Sequence, residues 1–512
     1  MALPFELRLT LLVLSSIFIP IACKLFIVLI WKPLAIQSCF KKQGIGGPQR
    51  HLLHGSMQEM MSLEQEAINK PIEGFSHDIA SRVLPAYHKW SKRYGELFLY
   101  WVGTEPRFCV TDADMIREML KTKFGLFTKD DPIPALKALL GKGLVLATDE
   151  KWVEHRRVIN PAFHVDRLKG MTKAMASCTI SMLSTWTDEE KELEVHEQLK
   201  QLTADIIAQT AFGSSYREGK EVFTAQEELI LMAIASFGDI SVPGLQYLPT
   251  KRNRQLWKLE KRARDNLKFI INSRIRSAVK AGGFGDDLLG MMMESSRGED
   301  GRMSMSLNEI MDECMTFFFA GHETTANLLT WAMFLLSIYP DWQTKLRQEV
   351  MDLCGRGTPD ADMLGKLKLT NMFLMETLRL YPPVLLMLRK TAKELKLGNV
   401  LIPKDVTITL PILMVHRKPE YWGEDADEFN PLRFSQGLSR AGKHPNAMMP
   451  FSFGPRVCVG QSFAMMEGKL VLAMILQRYS FSLSPGYKHA PFRLLTLRPQ
   501  FGLPILLQPV HV

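Results

Sequence analysis

The stretch FSFGPRVCVG, Phe451 to Gly460, sets one cysteine and one arginine among two phenylalanines, two glycines and a proline. A plain buried cysteine would leave the glycines, the arginine and the leading phenylalanine to be explained one by one. A cysteine that binds iron explains them together. A thiolate is negatively charged and its donor strength has to be restrained, which backbone N–H groups do where the chain wraps closely around sulfur. Gly454 and Gly460 permit that wrapping, because glycine reaches backbone conformations closed to other residues. Phe451 can cover the sulfur side and exclude water. Arg456, two residues before Cys458, can reach an anionic group on the rim of a cofactor.

The 512 residues are 46% hydrophobic and 23% charged, which suits a large globular enzyme and excludes a disordered chain. No fixed-period repeat or low-complexity tract is visible. The net charge of +9 reads either as a plain lysine surplus or as attraction to an anionic membrane face or acidic partner. Lys and Arg are spread along the chain without a recognition motif, so no nucleic acid partner is expected. The seven cysteines are odd in number and show no C-x-x-C spacing, which suggests neither disulfides nor zinc and points to a reducing compartment.

Leu9 to Trp31, LTLLVLSSIFIPIACKLFIVLIW, is 23 residues long and can cross a hydrocarbon layer of about 30 Å. A cleaved signal peptide would have a shorter apolar run. Lys24 costs roughly 2.5–3.5 kcal/mol near a helix centre, which the surrounding Leu, Ile, Val and Phe side chains offset. Pro20 adds a kink. Lys32, Lys41, Lys42 and Arg50 follow the span, while Arg8 faces Glu6 before it. That bias puts the bulk of the chain in the cytosol. The expected division is a short lumenal N-terminus (1–8), a transmembrane anchor (9–31), a basic Gly/Pro connector (32–50) and a catalytic body (51–512).

Helical spacing of apolar residues dominates the body: Met115 to Thr122, Trp152 to Phe163, Leu168 to Trp186, Leu199 to Phe212 and Leu307 to Ile338, the last stopping before Pro340. Lys251 to Lys280 reads as a long, mostly solvated basic helix. AGGFGDD (Ala281 to Asp287) and SSRGEDGR (Ser295 to Arg302) read as loops. Glu96 to Thr111 reads as a hairpin, and the end of the chain gives short strands broken by prolines. The fold class is therefore mainly α with small β-sheets, in one body.

Phe-x-x-Gly-x-Arg-x-Cys-x-Gly resembles the haem-binding loop of the cytochromes P-450, whose iron is held by a cysteine thiolate. The resemblance runs over nearly the whole chain and implies that family's fold, with an N-terminal transmembrane helix. It implies haem b, with Cys458 as the metal ligand and Phe451, Gly454, Arg456 and Gly460 around it. Glu376 and Arg379 of ETLR, followed by YPP at Tyr381 to Pro383, match a structural pair that locks to an arginine from a later loop, here Arg433. AGHETT, Ala320 to Thr325, implies close approach of a helix to the macrocycle at Ala320. Glu323 and Thr324 are then the catalytic pair that handles protons for dioxygen, because splitting the O–O bond needs two protons and little other water. His322 is a further group that could carry one. WVEHR matches the family's W-x-x-x-R, where Trp152 and Arg156 reach a haem propionate, and Arg389 resembles another propionate-binding arginine.

The implied reaction is a monooxygenation. One atom of dioxygen enters a C–H bond of a lipophilic small molecule and the other leaves as water. The chain has no G-x-G-x-x-G dinucleotide site after a strand, so electrons are expected from NADPH through a separate membrane-bound flavoprotein reductase. Two other readings are a haem isomerase or lyase acting on lipid hydroperoxides and a non-catalytic haem sensor. Intact Glu323, Thr324 and Cys458 weigh against both. LTADIIAQTAFGSSY, MDECMTFFFAGHETT and YKHAP are similar to a plant microsomal clan that includes hydroxylases of cytokinins, gibberellins, brassinosteroids and fatty acids. That likeness implies an endoplasmic reticulum membrane protein, with a fatty acid or hormone-like isoprenoid as substrate. The expected pocket walls are Phe127 to Leu144, Phe317 to Ala320, Val384 to Leu388 and Leu494 to Leu497. Lys129, Lys137 and Lys142 are either solvated or available to an acidic head group.

Overall fold

The computed structural model describes residues 16, 18–70, 72, 74–122, 125–129, 132–186, 191–213, 216–236, 247–295 and 305–510. The expected lumenal segment, the start of the anchor and nearly all of the SSRGEDGR loop lie outside them.

The 32-residue helix Leu307–Ile338 organises the rest. Its start is a capping box: the Ser306 hydroxyl accepts from Glu309 N, and the Glu309 carboxylate accepts from Ser306 N. Tyr339, which precedes Pro340, ends it. From Ile310 to Leu336 nearly every residue is buried, as expected of a helix that runs through a core. Val195–Phe212 crosses it closely. A Cβ on Gly321 would lie 2.7 Å from Ile207 Cγ1, so only glycine allows this approach. Phe212 stacks on Phe318 with centroids 4.3 Å apart, and Trp331 stacks on Tyr381 at 4.5 Å. The expected basic helix is Lys251–Ala281. It buries a stripe through Leu256, Leu259, Ala263, Leu267, Ile270 and Ile271 and is tied to the long helix by Arg264–Asp312 at 2.6 Å. The expected helix from Trp152 to Phe163 is divided in two. Asp149–Ile159 is α-helical and Asn160–Phe163 tightens to a 3-10 turn, where Pro161 has no N–H to continue the ladder.

The expected hairpin is Leu97–Val102 paired with Glu105–Val110. It joins a five-stranded sheet in the order 97–102, 105–110, 407–411, 386–391, 127–128. Only the contact between 105–110 and 407–411 is parallel. The chain end forms the centre of a three-stranded sheet, Pro504–Pro509 between Lys191–Glu194 and Tyr479–Leu483. Two short hairpins, 395–402 and 491–499, complete the β-structure.

Among the described residues one helix, Phe18–Lys42, is long and apolar enough to cross a membrane. It does not give way to a connector at Lys32. Its last stretch, Lys32–Lys42, buries Pro33, Ile36 and Phe40, and Phe40 meets Phe108 at 4.9 Å. Pro33 has no N–H for the carbonyl of Leu29, four residues earlier. The turn Ile27–Trp31 is wound as a π-helix, and Arg50 Nη2 donates to Leu29 O instead. The connector is thus confined to residues 43–50, and it too is attached: Leu99 N donates to Gly46 O at 2.9 Å and Leu401 N to Gln43 Oε1 at 2.8 Å.

Candidate functional site

Cys458 lies in the loop between Met449 and the helix Gln461–Leu476. Its N–H donates to Phe451 O at 2.9 Å, Val457 N to Gly454 O at 3.1 Å, and Ser452 N to Met449 O at 3.1 Å, so the loop closes on itself. Gly454 has φ +71°, and a Cβ there would sit 2.2 Å from Leu120 O. Ser452, with φ 66°, shares the left-handed region that disfavours side chains. At the loop's entry, buried His416 accepts Met449 N–H on Nε2 at 3.0 Å. Burial and then the charge of Arg379 hold His416 at about 3, so its ring stays neutral and able to accept.

The Cys458 side chain is accessible, yet surrounding protein raises its pKa by burial. A group both open and desolvated faces an interior hollow. The Gly460 N–H and Arg156 pull the pKa the other way. On the long helix Ala320 and Thr324, four residues apart on one face, are half-exposed within an otherwise buried stretch, so they face a hollow as well, while half-exposed Gly321 turns toward Ile207. The Thr324 hydroxyl donates back to Ala320 O at 2.8 Å. Phe127, Leu386, Met387, Leu494 and Leu495 are likewise half-exposed apolar residues set against the core, and Leu388 is half-exposed beside them.

Three guanidinium groups surround this region, with Asp149, among the described residues, the one acid whose charge reaches them, at Arg456. Arg156 Nη1 donates to Val457 O at 2.9 Å, Arg389 Nη1 to Leu388 O at 2.8 Å and Arg456 Nη1 to Ala147 O at 2.9 Å. Among the described residues none of the three forms an ion pair. Burial, then Arg456, lowers Arg389 to about 10. Arg456 lies over the Trp152 ring at 4.8 Å and Arg156 at 6.0 Å. Thr128 pairs with Lys390, which puts Lys129 beside Arg389. Burial, then Arg389 and Arg456, lowers Lys129 well below the usual lysine range. Lys137 and Lys142 are exposed.

Like charges held together in a partly desolvated place favour an anion among them. The cradle at Gly454, the accessible thiol and the arginines fit an iron porphyrin with two rim carboxylates. A metal cation at sulfur would also take the proton that burial retains. Among the described residues no cluster of three His, Cys, Asp or Glu side chains could hold a bare metal ion.

Glu376 and Arg379 are fully buried and joined by two contacts, 2.7 and 2.8 Å. Arg379 also donates to the carbonyls of His416, Ala426 and Glu428. Arg433 approaches Glu376 at 3.7 Å and pairs more closely with Asp425 at 2.6 Å. Glu323 and Thr324 are neighbours in sequence but point to different sides of their helix. The Glu323 carboxylate accepts from Arg498 Nε at 2.6 Å, Asn327 Nδ2 at 3.0 Å, Arg498 Nη2 and the Thr496 hydroxyl. His322 is buried, contacts Phe318 O and Phe223, and burial lowers it to about 4. Sequence reasoning missed Arg498 and Thr496. It also missed the buried pair His155–Glu313 at 2.5 Å, which joins the Trp152 helix to the long helix. The histidine sits inside WVEHR, but nothing local marks its partner.

A family model described as Cytochrome P450 matches residues 70–505. The chain is 47% identical over 500 residues to "Cytochrome P450 709B1" of Arabidopsis thaliana, covering 95% of this chain and 96% of the relative. It is 42% identical over 487 residues to "Cytochrome P450 CYP72A616" of Paris polyphylla, covering 93% and 94%. It is 41% identical over 509 residues to "Cytochrome P450 734A6" of Oryza sativa subsp. japonica, covering 96% and 94%. Among solved structures, "Retinoic acid bound cyanobacterial CYP120A1" superposes with a TM-score of 0.72 at 23% identity, covering 83% of this chain and 94% of that one.

Proposed function

This chain belongs to the cytochrome P450 family, and from that premise we propose that it is a membrane-anchored haem-thiolate monooxygenase acting on a lipophilic small molecule. Cys458 holds the iron. Phe451, Gly454 and Gly460 shape the loop around the sulfur, and Trp152, Arg156, Arg389 and Arg456 take the propionates. Bound haem supplies the oxidising chemistry, with electrons from NADPH through a separate flavoprotein reductase. Ala320 lets the long helix approach the ring face. Thr324 presents a hydroxyl to the hollow, where it can hold a water or pass a proton at Oγ1. The half-exposed apolar walls favour an apolar substrate body and exclude stray water. The single observation that carries the reading is Cys458: accessible, desolvated, and neighboured by guanidinium groups that form no ion pair among the described residues.

The apolar stretch ahead of Lys32 and the cations Lys32, Lys41, Lys42 and Arg50 that follow it support a single-pass protein of the endoplasmic reticulum, with residues 1–8 lumenal and the body cytosolic. The reading predicts that the reduced, carbon-monoxide-treated protein shows the long-wavelength absorption of a thiolate-bound haem, and that Cys458→Ala abolishes it. Coexpression with a plant reductase, followed by fatty acids, cytokinins, gibberellins and sterol-like compounds side by side, identifies the substrate by mass spectrometry. Products must depend on NADPH; products formed from a hydroperoxide alone would move the protein to the isomerase or lyase class.

A further inference from the structure

The resemblance gives Glu323 a proton-handling role, but its surroundings give it another. Adjacent helix residues point about 100° apart. Thr324 is open to the hollow, while Glu323 is buried and turned away from it. Two carboxylate oxygens receive four donors: both ends of the Arg498 fork, the Asn327 amide and the Thr496 hydroxyl. A bidentate guanidinium contact fixes direction as well as distance. Burial works against ionisation here, but Arg498 outweighs it and holds Glu323 at about 2. At neutral pH it is an ionised carboxylate whose direction these donors fix.

Arg498 and Thr496 belong to the hairpin made of Pro491–Arg493 and Leu497–Pro499. Two strands of three residues cannot hold their own position. Other contacts fasten the same strand: Trp331 Nε1 donates to Leu497 O at 3.0 Å, and Leu497 N donates to Pro383 O at 3.0 Å. The hairpin tip, Leu494 and Leu495, is half-exposed and apolar. The tip therefore stands where the long helix and the segment after Pro383 meet, and both of those segments carry half-exposed wall residues.

We propose that Glu323 is a positioning residue: through Arg498 and Thr496 it latches the 491–499 hairpin to the long helix, so that Leu494 and Leu495 form a fixed pocket wall that selects ligands by shape. The proposal deepens the monooxygenase reading and rests on it only for the group bound at Cys458. Removing Glu323 loosens one attachment of the hairpin, while the Leu497 contacts remain, and leaves Arg498 without its acid, beside Lys200 and His196, both of which sense its charge.

The test uses the full-length, haem-loaded protein with Glu323→Gln, Arg498→Leu, Arg498→Lys, Thr496→Val and the Glu323–Arg498 double variant. Hydrogen exchange of residues 491–499 reads the latch without a substrate. Dissociation constants for imidazole and for the bulkier phenylimidazole, read from the haem spectrum, report the wall. Glu323→Gln and Arg498→Leu should each speed exchange of the hairpin by about tenfold or more and shrink the preference between the two azoles about fivefold. The double variant should be no worse than either single one, and Arg498→Lys should recover part of the loss. Unchanged exchange and azole preference in Glu323→Gln would overturn the latch. If even the unaltered protein lacks the thiolate-haem absorption, the monooxygenase reading falls; the exchange data still decide the latch.

Discussion

Glu467 sits on the helix that follows Cys458, fully buried, and neither carboxylate oxygen meets a donor among the described residues. Burial raises its pKa well above the usual 4.5, so it is a neutral acid at neutral pH. The unfolded chain loses this proton near pH 4.5 and the folded one keeps it. Above that pH the folded state binds more protons, so stability falls as pH rises, by about 1.4 kcal/mol per unit until the folded group ionises. Glu467→Gln keeps the shape and has no proton to lose. The two proteins should unfold at similar urea concentrations near the usual 4.5, and the Gln variant should lead by a margin that widens as pH rises until the folded group ionises. A margin independent of pH would show that Glu467 is ionised or paired in the fold. Gly454 is the opposite case, because its need is visible in the sequence. A Cβ 2.2 Å from Leu120 O, on a backbone at φ +71°, cannot be absorbed without moving the loop. Gly454→Ala should therefore lose haem absorption together with about 1–3 kcal/mol of stability. The glycine announced itself by its spacing from Cys458. Glu467, in MMEG, carries the sequence signature of a solvated helix position and nothing more.

Elements whose boundaries depend on local chemistry were legible; elements held by distant carbonyls were not. Leu307–Ile338 matches its expected limits because Ser306, Glu309 and Pro340 are all local signals. The Glu376–Arg379 pair was legible for the same reason, three residues apart on one helix. Its other partners, the carbonyls of His416, Ala426 and Glu428, have no residue signature, and the expected Arg433 contact is the loosest of the set at 3.7 Å. Breaking a fully buried pair leaves one charge uncompensated and costs about 3–5 kcal/mol. Glu376→Gln and Arg379→Lys should both lower soluble yield and thermal midpoint, and Arg379→Lys should not rescue, since an ammonium cannot span the same acceptors. A thermal midpoint unchanged in either variant would show that the pair is dispensable. Residues 32–42 read in sequence as a connector because Lys32 and Pro33 look like the end of a membrane helix. The helix instead continues, with a π-turn and the Arg50 side chain taking up the carbonyl that Pro33 leaves unpaired. Arg50→Met should loosen that junction. Trypsin should then cut at Lys41 and Lys42 several times faster than in the unaltered chain; an unchanged rate would mean that burial of Ile36 and Phe40 suffices.

At the scale of the whole molecule, the contacts that sequence could not supply are those between segments far apart, such as Arg498 and Glu323, 175 residues apart. Many of them place a histidine in the core. His77 bridges the hydroxyls of Tyr381 and Tyr339, each at 2.8 Å. His489 lies flat on Phe334 with centroids 4.7 Å apart. Burial, as the leading cause, holds His77 and His416 at about 3 and His322 and His489 at about 4. The unfolded chain protonates all four near 6.5, while the folded chain protonates none until much lower. Stability therefore falls as pH drops below about 6.5, by up to about 5 kcal/mol per unit once all four are titrating in the unfolded state. His155 works the other way. Burial favours its neutral ring, but the hydrogen bond and charge of Glu313 outweigh burial and raise its pKa, so its contribution fades as pH rises. Carboxylates enter later. Glu323 and Glu309 are both held at about 2 against burial, the first by Arg498 and the second by Lys151 and Ser306, so their contribution is lost only below about 4.5. Urea midpoints of the haem-loaded protein should thus fall steeply between about pH 6.5 and pH 5, before the acids titrate. His489→Phe, which keeps the ring against Phe334, should reduce that slope by about a quarter. A midpoint that holds steady to about pH 5, or a slope that ignores the substitution, would mean that these rings are already charged or open to water in the native state.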